Sequence, residues 1–253
     1  MKKTLMTVAS VLVIAVSNGL QAEERGRIGM GINLSNKLDI YNNADSDAIA
    51  GVHFQYRGKR LNIDEETIAY TLSDTEKYQI ELMARSENRG LEQDYLTDFT
   101  GLKERDESLD AGFRAGFKTQ YGLLSVEATG DITGTHNGQE VDIRFGPDFY
   151  QKAWNGKREV SIGALAGVKW QSKDVVDYYY GVSTGEATAS RAAYNGEDAV
   201  TPYVGMEAKA NLSKRFSMHG NVLYKDRPDE ITNSPLVNKS NDGELNLAVT
   251  YWF

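Results

Sequence analysis

The stretch GELNLAVTYWF, residues 243–253, alternates apolar and polar side chains along its whole length. Leu245, Leu247, Val249, Tyr251 and Phe253 share one face, and Glu244, Asn246, Ala248, Thr250 and Trp252 share the other. A repeat of two residues is the pattern of a β-strand that has one apolar face. We therefore expect a strand that continues to the aromatic residue at position 253.

The same alternation recurs along the chain. It is clear at 27–35, 49–57, 109–118, 124–132, 140–145, 160–170, 204–212 and 216–224. Residues 59–72, 77–86 and 175–182 are less regular, and the apolar phase changes inside 59–72, which predicts a bulge or kink. Together these segments give about 12 strands, with about 10 as the alternative, each long enough to cross a bilayer when tilted.

A soluble β-sandwich also alternates, but two features favour a transmembrane barrel. Full charges occupy the middle of the polar faces, which suits a wet barrel lumen. Aromatic residues collect at segment ends, as interfacial girdles require. The central charges are Arg114, Glu127, Asp142, Glu207 and Lys209. The sequence thus predicts an all-β fold, a transmembrane antiparallel up-and-down β-barrel over residues 23–253.

The first residues are typical of a cleaved signal peptide. Lys2 and Lys3 precede an apolar run at 5–16, and Ala22 offers a small residue for cleavage. This run is too short to span a bilayer as a helix. We expect residues 1–22 to be removed during export, and the alternating strands then predict the outer membrane of a Gram-negative bacterium as the location.

Composition excludes several classes of function. The chain has no cysteine, so disulfides, thiolate chemistry and cysteine metal sites are absent from it. Its formal net charge of -8 and its lack of a basic stripe argue against nucleic acid. His53, His136 and His219 lie on separate segments without metal-ligand spacing, so we expect neither a metal nor another cofactor.

The final strand also resembles the C-terminal signal that the barrel-insertion machinery recognises. Leu247, Val249, Tyr251 and Phe253 form the apolar face of this predicted signal. In a closed barrel such a strand ends without leaving an unpaired edge. The expected partners at this stage are outer-membrane lipid and the insertion machinery.

Longer blocks resemble the MipA/OmpV family of outer-membrane proteins. They are GLKERDESLDAGFRAGF (101–117), VEATGDITGTHNGQEVDIRFG (126–146), DYYYGVSTGEATASRAAYN (177–195), NSPLV (233–237) and VTYWF (249–253). The resemblance implies an outer-membrane barrel. It also implies a function like that of the family's namesake, a scaffold that links a lytic transglycosylase to a penicillin-binding murein synthase. Other members of the family are described as osmoregulated surface proteins or adhesins.

Three functions follow from these observations. We favour a non-enzymatic scaffold or interaction protein in envelope maintenance, and a small passive pore or adhesin-like surface barrel is the alternative. A barrel lipid hydrolase is a remote third, because the GVSTG stretch at 181–185 lacks the amphipathic helix that should follow a nucleophile elbow. Ser217 and His219 share a strand face that points to the lumen, away from lipid.

Strand parity predicts where one unusual segment lies. In a barrel with both termini in the periplasm, counting back from Phe253 places loops 183–199 and 227–242 outside the cell and 87–108 in the periplasm. That segment carries an apolar set, Leu91, Tyr95, Leu96, Phe99 and Leu102. We predict that it contacts a periplasmic partner or plugs the lumen, and a miscounted strand would instead place it outside.

Overall fold

The computed structural model describes residues 26–37, 48–87, 101–154, 158–238 and 240–253. The predicted signal peptide and four of the five apolar residues of segment 87–108, namely Leu91, Tyr95, Leu96 and Phe99, lie outside the described residues. Most of the described chain is strand, and no helix in it is long and apolar enough to span a membrane.

Thirteen strands and two short helices follow one another along the described chain. The strands are β1 Arg27–Lys37, β2 Ala48–Arg57, β3 Leu61–Ile63, β4 Thr67–Asp74, β5 Tyr78–Glu87, β6 Ser108–Thr119, β7 Gly122–Asp131, β8 Gln139–Gly146, β9 Asp148–Trp154, β10 Arg158–Gln171, β11 Ala199–Asn211, β12 Phe216–Asp226 and β13 Asn241–Trp252. The helices are α1 Lys173–Tyr180, between β10 and β11, and α2 Asp229–Thr232, between β12 and β13.

The strands close into an antiparallel barrel. The last strand pairs with the first, with Gly29 opposite Trp252, and the Phe253 N–H donates to the carbonyl of Ile28 over 2.9 Å. β10 pairs with β11 from Glu159 opposite Asn211 to Gln171 opposite Ala199. Every neighbour in the ring is therefore bonded to the next, as the alternation predicted.

The ring has twelve positions, which confirms the predicted strand number. β8 and β9 count as one position, because both pair with the same edge of β10 on either side of Pro147. The predicted single kinked strand at 59–72 is wrong, since β3 and β4 form a hairpin around a turn at 64–66. This hairpin adds one strand to the predicted count. The predicted strand at 175–182 is also wrong, which removes one strand and leaves the total unchanged.

Residues 175–182 lie mainly in helix α1. Its buried side chains are Val175, Val176, Tyr179 and Tyr180, which recur at the spacing of a helix rather than of a strand. A run of apolar residues this short does not distinguish the two elements by sequence.

The outer surface of the barrel is apolar. On β1 the outward side chains Met30 and Ile32 are 47% and 66% exposed, whereas Gly29, on the inward face, is buried. Val52 on β2 and Phe113 on β6 are 76% and 59% exposed on the same outer belt. A soluble sandwich would bury these faces against each other. Their exposure around a closed ring is the arrangement of a barrel that faces lipid.

The two ends of the barrel differ in their connections. At the end that holds Arg27 and Phe253, which we call the turn end, the described turns are short: 58–60, 75–77, 120–121 and 212–215. At the opposite end, the loop end, the described parts of the connections are longer, apart from the β3–β4 turn at 64–66: 101–107, 132–138, 172–198 and 227–238. Short periplasmic turns and long outer loops are usual for outer-membrane barrels.

With both termini in the periplasm, as the parity count assumed, the predicted periplasmic position of segment 87–108 is wrong for its described residues 101–108. Glu87 pairs with Ser108, and the Asp106 N–H donates to the hydroxyl of Tyr178 on α1 over 2.8 Å. Both facts place residues 101–108 at the loop end, opposite the chain termini. The parity count failed because it treated α1 as a strand that crosses the membrane.

A labelling experiment can test this placement, because the chain contains no cysteine of its own. We expect cysteine at the exposed position Glu104 to react with a membrane-impermeant maleimide in intact cells. Cysteine at Gln120, exposed in a turn at the turn end, should react only after the outer membrane is permeabilised. The reverse pattern of labelling would contradict the assigned orientation.

Candidate functional site

A hydrophobic cluster forms a cap at the loop end. Its buried members come from the β5–β6, β10–β11 and β12–β13 connections and from the start of β11: Leu102, Val175, Val176, Tyr179, Tyr180, Val182, Ala199, Ile231, Leu236 and Val237. Tyr178 and Tyr194 pack against them. Several of these side chains are fully buried, as in the core of a soluble domain.

The cap extends across the mouth of the barrel. The β5–β6 connection, which carries Leu102, and the β12–β13 connection, which carries Ile231, are separated around the ring by β6, β7, β8, β10, β11 and β12. Six of twelve positions is half the circumference. Because both connections belong to one contiguous cluster, that cluster must span the opening between opposite walls.

Helix α1 is the centre of the cap, and its start is tied to two neighbouring segments. The hydroxyl of Ser172 accepts the N–H of Gln139 over 2.9 Å, and Asp198 accepts the N–H of Lys173 over 2.7 Å. Of these bonds, the second satisfies the N–H of Lys173, which the helix itself leaves unpaired. Both bonds hold α1 to β8 and to the residues before β11.

Glu186 joins the β5–β6 connection to the β10–β11 connection. One carboxylate oxygen accepts the backbone N–H of Lys103 at 3.0 Å and pairs with Arg105 at 3.2 Å. The other accepts the N–H and the hydroxyl of Ser183, at 3.0 and 2.7 Å. Arg105 also donates to the carbonyl of Gly181 over 3.1 Å. A single buried side chain thus links segments that are about 80 residues apart.

These bonds lower the pKa of Glu186. Burial by itself raises the pKa of this carboxyl group, but the bonds from Lys103, Ser183 and Arg105 outweigh burial and lower the pKa from 4.5 to about 2. The charged form is therefore favoured in the folded cap. Its contribution to stability, roughly 3 kcal/mol, is full above pH 4.5 and is lost as the pH falls through about 2.

The β12–β13 connection is held to the cap by two further bonds. Ser234 donates its hydroxyl to the carbonyl of Tyr180 over 2.6 Å. Tyr194 donates its hydroxyl to the carbonyl of Glu230 over 2.9 Å. Burial raises the pKa of Tyr194, which keeps this hydroxyl protonated as the donor. The cap is therefore a bonded assembly of three connections and not a set of separate loops.

Ser183 has a structural role in this arrangement. It follows a helix rather than a strand, and its hydroxyl donates to Glu186. A nucleophile elbow requires a strand before the serine and a histidine base within reach. The geometry of residues 181–185 thus argues against the elbow.

A buried histidine lies beside the cap, between Ser108 and Asp110. The N–H of Gly138 donates to Nδ1 of His136 over 2.9 Å, so the ring proton is on Nε2. Nε2 faces the Ser108 hydroxyl at 3.2 Å and Asp110 at 3.3 Å, and Ser108 itself donates to Asp110 over 2.9 Å. A protonated Nε2 cannot accept the serine proton, so the trio is a fixed polar cluster and not a catalytic triad.

Ion pairs line one wall of the lumen. The Arg114 guanidinium contacts Glu127 at 2.8 Å and Glu81 at 3.4 Å. Arg85, one strand away, also pairs with Glu127 and contacts Glu140 at 3.5 Å. The acids are at most 13% exposed. Charges that the sequence placed on the polar faces, such as Arg114 and Glu127, therefore pair with one another inside the barrel.

The opposite wall is bonded through both neutral and charged groups. His53 contacts the hydroxyl of Thr250 at 2.9 Å, and the Asn33 amide donates to Glu65 over 2.9 Å. Among the described residues no group of three or more metal-ligating side chains could hold an ion. Ser217 accepts the indole N–H of Trp252 over 2.8 Å, while His219 contacts Glu207 at 3.4 Å. Each member of the predicted Ser217–His219 pair thus has another partner.

The predicted insertion signal lies on the outer face of β13. Leu247 and Phe253 are 41% and 72% exposed. The ring of Tyr251 contacts those of Phe216 and Phe253 edge to face, each at 5.0 Å between centroids. Val249 shares this face between them. The residues form an aromatic group at the turn end, and their recognition by the insertion machinery stays a prediction.

The sequence located part of the cap but not Glu186, the side chain that links two of its connections. Leu102 was predicted to be functional, and it packs in the cap with the block at 177–195. Glu186 lies within that block, but its partners Lys103 and Arg105 are distant in sequence. No local pattern could have predicted their contact.

Comparison with known proteins connects this architecture to one family. Residues 28–253 match the family described as MltA-interacting protein MipA. The MltA-interacting protein of Escherichia coli (strain K12) is 34% identical over 153 residues, which cover 60% of this chain and only 59% of that relative. Outer membrane protein Omp26La of Vibrio anguillarum and outer membrane protein OmpV of Vibrio cholerae are 24% and 22% identical, and each match covers 94% of this chain and 91% of the relative.

Removing the charge of Glu186 should loosen the cap. Glu186→Gln places an amide N–H₂ among N–H donors, and we expect the backbone amides of Lys103 and Ser183 to exchange hydrogen about tenfold to a hundredfold faster. Hydrogen exchange on the detergent-solubilised barrel would measure this.

The pH dependence makes the test specific. The difference between the wild type and Glu186→Gln should be full at pH 6 and shrink as the pH falls from about 4.5 toward 2. Glu104→Gln, at an exposed acid in the same connection, is the matched control and should leave exchange unchanged. Equal protection in the wild type and Glu186→Gln at pH 6 would refute the role of Glu186.

Proposed function

Because this chain belongs to the MltA-interacting protein MipA family, we propose that it acts without catalysis, as an interaction protein that holds a murein enzyme at the periplasmic face of the outer membrane. Its location is that of its relatives, which are outer-membrane proteins. In this membrane the turn end faces the periplasm and the loop end faces outward.

The capped loop end is the observation that carries the proposal. The cap crosses one mouth of the barrel, and ion pairs from Arg85 and Arg114 occupy the wall below it. This arrangement favours a stable body in the membrane over a wide channel. The Escherichia coli relative is named for its interaction with MltA, and we extend an interaction with a lytic transglycosylase or a penicillin-binding murein synthase to this chain.

Orientation decides where such a contact can occur. Murein enzymes work in the periplasm, whereas residues 101–107 lie at the loop end. We therefore assign the contact to the turn end, in place of segment 87–108. Leu102 belongs to the cap, and a plugging role for Leu91, Tyr95, Leu96 and Phe99 stays a prediction.

A small passive pore is the second candidate, and the polar lumen is the observation that favours it. Charged and neutral polar groups line the interior from β5 to β10. A conducting lumen would require a path past the cap. Recording in planar bilayers would distinguish the two functions, since a pore should conduct steadily while a capped interaction protein should not.

The proposed function can be tested by affinity purification from solubilised envelopes. We expect the intact barrel to retain a lytic transglycosylase or a murein synthase, identified by mass spectrometry. Glu186→Gln should retain the same enzyme, because it alters the opposite end of the barrel. Failure of the folded wild type to retain any murein enzyme would reject the proposal and make conductance the next measurement.

A further inference from the structure

The two ends of the barrel carry opposite surface charge. Among the described residues of the loop end, exposed acids outnumber exposed bases: Glu104, Asp106, Glu107, Asp174, Asp177, Glu197, Asp198, Asp226 and Asp229 against Lys103 and Lys173. At the turn end the balance is reversed: Arg27, Arg57, Lys59, Arg60, Lys77, Lys118, Lys214 and Arg215 against Asp74, Glu76 and Glu159. A chain with a formal net charge of -8 thus presents a basic surface to the periplasm.

Six of the bases form a continuous group, which we call the basic arc: Arg27, Arg57, Lys59, Arg60, Lys214 and Arg215. They lie on the β11–β12 turn, the start of β1 and the β2–β3 turn, which are near one another around the ring because β13 and β1 pair. Arg57 of the arc also pairs with Asp64 at 3.7 Å, and acids are interspersed with the bases elsewhere on this rim. Lys118, for example, pairs with Asp74 at 2.9 Å.

Two arginines of the arc are held in place by the end of β13. Arg27 donates to the carbonyl of Lys214 over 2.8 Å, and its guanidinium lies 5.0 Å from the ring centroid of Trp252. Arg215 donates to the hydroxyl of Tyr251 over 3.0 Å. Side chains that are already ordered lose less entropy when a partner binds.

The tips of the arc lie beyond the aromatic group at the turn end. Aromatic side chains such as Phe216 and Tyr251 mark the level of the lipid headgroups. Lys59, Arg60 and Lys214 belong to turns that follow the strand ends and are exposed. Their charges therefore project from the membrane toward the periplasm, which favours a protein partner over lipid headgroups.

We propose that the basic arc is the docking site for an acidic face of the periplasmic murein enzyme. This inference rests on the proposed function and identifies its contact surface and the charge of the partner. Opposite charge across an interface steers association and selects the partner. The acidic loop end would repel the same face, so docking is restricted to the periplasmic side.

A charge-reversal experiment tests the docking site. The variant Arg60→Glu with Lys214→Glu changes two exposed bases of the arc, and the control Lys77→Glu with Lys173→Glu makes the same charge change outside it. In affinity purification with full-length barrels, we expect retention of the murein enzyme to fall at least about tenfold in the arc variant only. Wild-type retention should also fall as salt rises from about 50 to 300 mM.

The outcomes separate the two proposals. Retention by the wild type and the arc variant alike would overturn the docking site and leave the proposed function standing. Retention by none of the barrels would reject the proposed function and the docking site together. The heat stability of each barrel is also measured in phosphatidylglycerol nanodiscs. If these nanodiscs stabilise the other barrels but not the arc variant, and retention of the murein enzyme is unchanged, the arc is a lipid anchor and the inference is wrong.

Discussion

The structure depends on one constraint, which is that no backbone polar group can remain unpaired in the hydrocarbon of a membrane. A sheet meets this constraint only when its edges join. The pairing of β13 with β1 and of β10 with β11 provides that closure. Once the ring is closed, the alternation of each strand assigns one face to lipid and the other to the lumen.

The usual distribution of side chains is therefore inverted across the wall. Ile32 and Val52 are exposed on the outside, while Glu81 and Glu140 are buried inside and bonded to arginines. A buried carboxylate is costly unless it is paired, and these acids share Arg85 and Arg114 with their neighbours. The hydrophobic cluster of the cap is the described region where apolar side chains are buried together as in a soluble protein.

The cap and the turn end give the molecule two chemically different faces. Outside, Glu186 holds the connections together and exposed acids cover the surface. At the turn end, aromatic residues mark the headgroup level and bases such as Arg60 and Lys214 lie beyond them. In the proposed function, the barrel is closed toward the outside and the turn end is left to the periplasmic partner.

The sequence by itself determined the barrel and its membrane, because a repeat of two residues is a local property of most of its strands. The strand number agreed because the division of 59–72 into two strands offset the loss of the predicted strand at 175–182. The sequence did not determine residues 175–182, where a short apolar run suits a strand or a helix equally. Only the tertiary structure decided this, since Val176 and Tyr179 are buried in a helix that packs in one cluster with Leu102 and Ile231 from opposite sides of the ring. The orientation of residues 101–107 and the role of Glu186 followed from that choice, because both depend on contacts between segments about 80 residues apart.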